Sequence, residues 1–95
     1  MGDALDLTAV VEALALYLRA NPHACDTPDG IRRWWLSPAV QCTHDAVVLA
    51  LDWMEGRDLI ELTTAADGRQ RFRRTASDEQ LAALFRALSG GQKVP

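Results

Sequence analysis

The sequence predicts an α+β domain, mostly helical, made of three helices, a two-stranded β-hairpin and a further helix at the C-terminal end. Three observations lead there. Apolar residues recur at helical spacing in long stretches beginning near Leu7, Thr43 and Ser77. Two strand-like runs, Leu59–Thr63 and Arg69–Arg74, flank the turn signal Asp67-Gly68. Helix-starting residues stand where each helical period begins: Thr27-Pro28, Thr43 and Ser77.

The 95 residues suffice for one modest core, and a single domain over 1–95 is expected, with its core in 6–89 and loose ends at 1–4 and 90–95. A hydrophobic content of 48% beside 24% charged residues is ordinary for a globular chain and argues against wholesale disorder. No apolar run approaches the roughly 18 residues of a membrane span, and Met1–Asp6 lacks the basic start of a secretory signal. A cytoplasmic location is the resulting expectation. The net charge of −3 has the wrong sign for a protein that lives on phosphate backbones, although a local patch counts for more than the total.

The first helix is expected from Asp6 or Thr8, either of which can cap it, to Ala20. Leu7, Val10, Val11, Leu14, Tyr17 and Leu18 share one face, and Asn21-Pro22 ends the helix because proline disfavours helical geometry in the residue before it. His23–Asp26 reads as a connector. The helix Pro28–Leu36 follows and is expected to bury Ile31, Trp34 and Trp35, with Asp29, Arg32 and Arg33 outward. Gly30 inside it costs about 1 kcal/mol relative to alanine, which close approach of the first helix would explain. Ser37–Cys42 is a turn, since Pro38 prevents the second helix from continuing.

Thr43–Gly56 is the third helix, stopped by the permissive Gly56. At 100° per residue, Ala46, Val47, Ala50, Leu51 and Met54 face the core, and Asp45, Leu49, Asp52 and Gly56 lie opposite. His44, Val48 and Glu55 fall at one margin and Trp53 at the other. In the hairpin, a two-residue loop would set Leu62 against Arg73 and mix apolar with charged groups on each face. A three-residue loop, Ala66-Asp67-Gly68, instead pairs Leu62 with Phe72, Glu61 with Arg73 and Thr63 with Arg71, and leaves Arg69, Arg71 and Arg73 on the exposed face. The last helix, Ser77–Leu88, opens with a Ser77/Gln80 capping box and carries the stripe Leu81, Leu84, Phe85, Leu88. The expected core is Leu14, Tyr17, Leu18, Ile31, Trp34, Trp35, Val47, Leu51, Met54, Leu62, Phe72 and Phe85.

From Leu7 to Leu88 this order resembles the winged helix-turn-helix superfamily. TPDGIRRWWL stands as the supporting helix, and THDAVVLALDWMEGRDLIEL resembles the passage from recognition helix into wing. The resemblance implies a regulatory or nucleic-acid-associated role, and a fold alone does not establish one.

Two surfaces compete for that role. DNA binding would set the Thr43 helix in the major groove, with Gln41, Thr43 and His44 at base edges. Arg57, Arg69, Arg71 and Arg73 would sit on phosphates, with Arg32, Arg33 and Arg74 nearby. Against it, Ser37–Gly56 holds no lysine or arginine, and Asp45 and Asp52 occupy the outermost line of the would-be reading face, where they would meet phosphates. The preferred expectation is therefore a non-enzymatic module working by protein contact, through Asp45, Val48, Leu49, Asp52 and Trp53 together with the wing. The partner is another protein or a second copy, a homodimer then being two-fold symmetric. The ordinary alternative is that Val48 and Trp53 complete the core and Leu49 is simply an exposed leucine.

No cofactor, small-molecule ligand or membrane contact is expected. His23-Ala-Cys25 and Cys42-Thr-His44 contain four zinc-ligand types. Their one-residue spacing is atypical, and a helix of about nine residues, roughly 14 Å long, separates the pairs, so metal is not expected. Nor do two cysteines make a disulfide framework in such a chain. His44 and Asp45 are helix neighbours that do not face each other, and no nucleophile has a base beside it, so catalysis is not expected.

Overall fold

The computed structural model describes residues 7–91. The fold is α+β and mostly helical, in the order α1 (Leu7–Ala20), β1 (Cys25–Asp26), α2 (Pro28–Gly30), a π-helical segment (Ile31–Trp35), a 3-10 turn (Pro38–Val40), α3 (His44–Gly56), β2 (Ile60–Thr64), β3 (Gln70–Arg74) and α4 (Asp78–Ser89). The expected Asp6 cap and the ends 1–4 and 92–95 lie outside the described residues. Thr8 falls inside α1 rather than ahead of it.

The sheet has three antiparallel strands, in the order β1-β3-β2, instead of the two expected. The extra strand is β1, from the stretch read as a connector, and it sets Cys25 opposite Arg73 and Asp26 opposite Phe72. Two residues carry no alternating pattern of their own. They become a strand because β3, whose inner edge is taken by β2, offers its other edge to whatever chain passes there. The hairpin itself has the register argued from parity: Leu62 faces Phe72, Glu61 faces Arg73 and Thr63 faces Arg71. Gly68 takes φ +84°, a conformation glycine enters without a Cβ penalty, and its N–H donates to the Ala65 carbonyl to close the loop.

Val10, Val11, Leu14, Ala15 and Leu18 of α1 are buried against Ala50, Leu51 and Met54 of α3, with Leu81 and Leu88 of α4 in the same core. All five α3 residues assigned inward from periodicity are buried. Thr43 Oγ1 accepts from the Ala46 N–H at 3.1 Å, and Ser77 and Gln80 make both bonds of the capping box, at 3.1 and 2.8 Å.

The end of α3 differs from expectation. Gly56 lies within the helix, and the left-handed residue is Asp58, at φ 60°. The Leu59 N–H reaches back to the Met54 carbonyl and the Asp58 N–H to the Glu55 carbonyl, both at 3.0 Å, which is a Schellman closure. Met54 and Leu59, the apolar pair such a closure brings together, are both buried. Aspartate tolerates the left-handed region better than most side chains.

The second helix also departs from plan. Thr27 caps it, its Oγ1 accepting from the Gly30 N–H, but after Gly30 the chain widens into the π segment. In a wider turn the i+4 residue stays near residue i while i+3 swings off the stripe. Ile31 and Trp35 are accordingly buried, and Trp34, expected in the core, is 73% exposed. Trp35 stacks on Tyr17, ring centroids 4.9 Å apart. Leu62 is 36% exposed, because it lies partway along the hairpin while its base, Leu59 and Ile60, does the packing. Tyr17, Phe72 and Phe85 are half-buried against the core.

The atoms nearest to a side chain at Gly30 belong to Asp26 and not to α1. A Cβ there would run into the carboxylate of Asp26, which is held by the Thr27 N–H at 2.8 Å. Gly30→Ala should therefore lower stability by about 1 kcal/mol, the disturbed charged hydrogen bond outweighing the helix-propensity gain. In an Asp26→Ala background the same change should raise stability by a similar amount, both read from urea midpoints. A second prediction concerns Arg74, whose side chain is 9% exposed and donates to the carbonyls of Leu18 and Ala76 and to Asp78. Arg74→Ala should cost about 2–4 kcal/mol by leaving inner carbonyls unmet. Arg73→Ala should cost less than about 1 kcal/mol, since it loses only an exposed pair with Glu61.

Candidate functional site

The candidate surface is built on α3 because this helix has one face committed to the core and one left over. Asp45, Leu49 and Asp52 stand on the outer line, all exposed, with Leu49 at 56% and Val48 at 40% beside them. Among the described residues neither Asp45 nor Asp52 has a basic partner. Arg32 and Arg33, the cations in range by sequence, both turn to Asp29, at 3.6 and 3.1 Å. The face is thus a short apolar strip between uncompensated carboxylates. Trp53 sits at its edge, half-buried beneath the Arg57 guanidinium, 4.5 Å from the ring centroid.

The candidate DNA contacts are dispersed or already engaged. Gln41 Nε2 donates to the Leu36 and Ser37 carbonyls, and the Thr43 hydroxyl accepts from the helix it caps, leaving His44 exposed with no partner among the described residues. On the hairpin, Arg69 lies 3.9 Å from Asp67 and Arg73 lies 3.3 Å from Glu61. Arg71 is half-buried with no acidic partner among the described residues. Such surface pairs are individually weak, about 0–1 kcal/mol, but each cancels a positive charge locally. The hairpin's field is closer to that of one arginine than of three. Arg74, also counted near the wing, is occupied inside the fold.

Sequence reasoning missed two features. Trp34 was placed in the core, and only the π geometry, which has no pattern in the sequence, turns it to solvent. A groove between the end of α3 and α4 is formed by residues distant in sequence and was invisible for that reason.

The two zinc-ligand pairs remain apart in role. Cys25 is exposed on the sheet-edge strand and Cys42 is half-buried before α3. Among the described residues no three His, Cys, Asp or Glu side chains are grouped to hold a metal ion. No helix among them is long and apolar enough to cross a membrane. No protein-family model, no curated protein and no solved structure matches the chain.

Burial pushes the Cys42 thiol above the ordinary thiol range, with Arg32 pulling weakly the other way. Folding therefore favours the neutral thiol. Any contribution to stability from this site is present at neutral pH and lost as pH rises past the ordinary thiol value. Iodoacetamide at pH 8 should alkylate Cys25 well before Cys42, and the gap should narrow as pH is raised, read by mass spectrometry of peptides.

Proposed function

We propose that this chain is a non-enzymatic winged-helix module that acts by protein contact, with the outer face of α3 as its working surface and the adjoining wing as a flank. One observation carries the reading: Asp45 and Asp52 border Leu49 and Val48 with no cation among the described residues to balance them. A duplex groove walled by phosphates repels such a face. A partner surface with apolar side chains between lysines or arginines complements it. The winged-helix assignment is supported by the order of the helices and by a hairpin docked through Leu59 and Ile60, with β1 extending its sheet. The engagement of most described arginines with carboxylates, carbonyls or rings also supports protein contact over DNA.

Fluorescence anisotropy against a mixed-sequence labelled duplex tests the choice. No submicromolar binding is expected at low salt. The Asp45→Lys/Asp52→Lys variant should gain salt-sensitive binding, since four units of charge then change on the groove-sized face. Submicromolar binding by the unaltered chain that falls steeply with salt and is lost in Arg71→Ala would overturn the proposal in favour of a DNA-binding regulator. On the protein side, a photo-crosslinker at position 49 should yield a discrete adduct. That adduct should vanish in the double-lysine variant and be missing when the crosslinker stands at exposed Glu12.

A further inference from the structure

The groove between the C-terminal turn of α3 and α4 has a volume of about 280 Å³. Its walls are mostly apolar, with Leu59 on one side and Ala83, Leu84, Ala87 and Leu88 along α4, where Gln80 adds a neutral polar group. Ala83 and Ala87 lie one turn apart on α4, and their small side chains keep that wall low. Among the lining residues only Arg57 carries a charge, and it has no acidic partner among the described residues. Its guanidinium is held over the Trp53 ring at 4.5 Å, and Trp53 itself packs against the core.

Stacking occupies one face of a guanidinium and leaves the N–H groups on its edge free to donate in pairs. Arg57 is thus positioned by Trp53 and still able to take a carboxylate in the two-bond geometry that favours arginine. We propose that this groove binds a small monocarboxylate with an apolar tail, the carboxylate on Arg57 and the tail along Leu84 and Leu88. A single cation suits a monoanion better than a phosphate, for which no second basic group lines the groove among the described residues. The volume lies just under the range for drug-sized ligands, about 300–1,000 Å³, so the ligand is small. This site adjoins the outer face of α3, sharing Trp53 with its edge, and does not rest on the function proposed for that face.

The test is a ¹H–¹⁵N titration of the full chain with sodium octanoate, and with 1-octanol and inorganic phosphate as comparison probes. Octanoate should produce saturable shifts at the Trp53 indole N–H and the amides of Arg57, Leu84 and Leu88, while the Trp34 indole stays still. Replacing the carboxylate by the hydroxyl of 1-octanol, or making Arg57→Gln, should weaken binding about tenfold or more. Ala87→Leu, which fills the groove without touching Arg57, should abolish it. Shifts that do not saturate, that include Trp34 equally, or that are the same for octanol or in Arg57→Gln would overturn the proposal. Phosphate matching octanoate would overturn it too, since the tail would then contribute nothing.

Discussion

One stripe of α1, comprising Val10, Val11, Leu14, Ala15 and Leu18, is buried on the side where α1 meets α3, α4, the π segment and the 3-10 turn, and the rest of the fold is arranged around it. Burying a valine or leucine contributes about 1.5–3 kcal/mol, so this stripe outweighs every polar contact in the domain. It also sets the constraint that matters for function. α3 must turn Val47, Ala50, Leu51 and Met54 to α1, and that rotation sends Asp45, Leu49 and Asp52 outward together. The acidic line and the core seam are two consequences of one helix orientation.

The arginines divide according to what surrounds them. Arg74 acts as a strap, joining the end of β3 to the Leu18 carbonyl of α1 and to the start of α4. Its bond to Asp78 contributes little, since that carboxylate is 81% exposed; the carbonyls, sheltered with the guanidinium, carry the stabilisation. Arg57 lies 4.5 Å over the Trp53 ring and Arg19 5.9 Å from the centre of the Phe85 ring, so both cations rest against aromatic rings. What looks in the sequence like a basic wing is, in space, largely a set of structural ties and neutralised pairs. The hairpin arginines thus leave the outer face of α3 as the candidate contact surface.

The sequence by itself determined whatever depends on near neighbours: the inward faces of α1 and α3, the Thr27, Thr43 and Ser77 caps, the Ala66-Asp67-Gly68 loop and the hairpin register. Each follows from a fixed period or from a hydrogen bond spanning three or four residues, so the pattern is complete within one short window. The outer residues of the candidate site, Asp45, Val48, Leu49 and Asp52, were legible for the same reason. Tertiary structure decided the rest. β1 exists only because β3 has an open edge; Trp34 is exposed because the chain widens after Gly30; Gly30 is needed because of Asp26 and not α1; and the groove at Arg57 requires α4 to come alongside α3. Each of these depends on a group that periodicity does not place beside it. Long-range packing can therefore reassign an arginine or a tryptophan while leaving the inward faces of α1 and α3 where the sequence had put them.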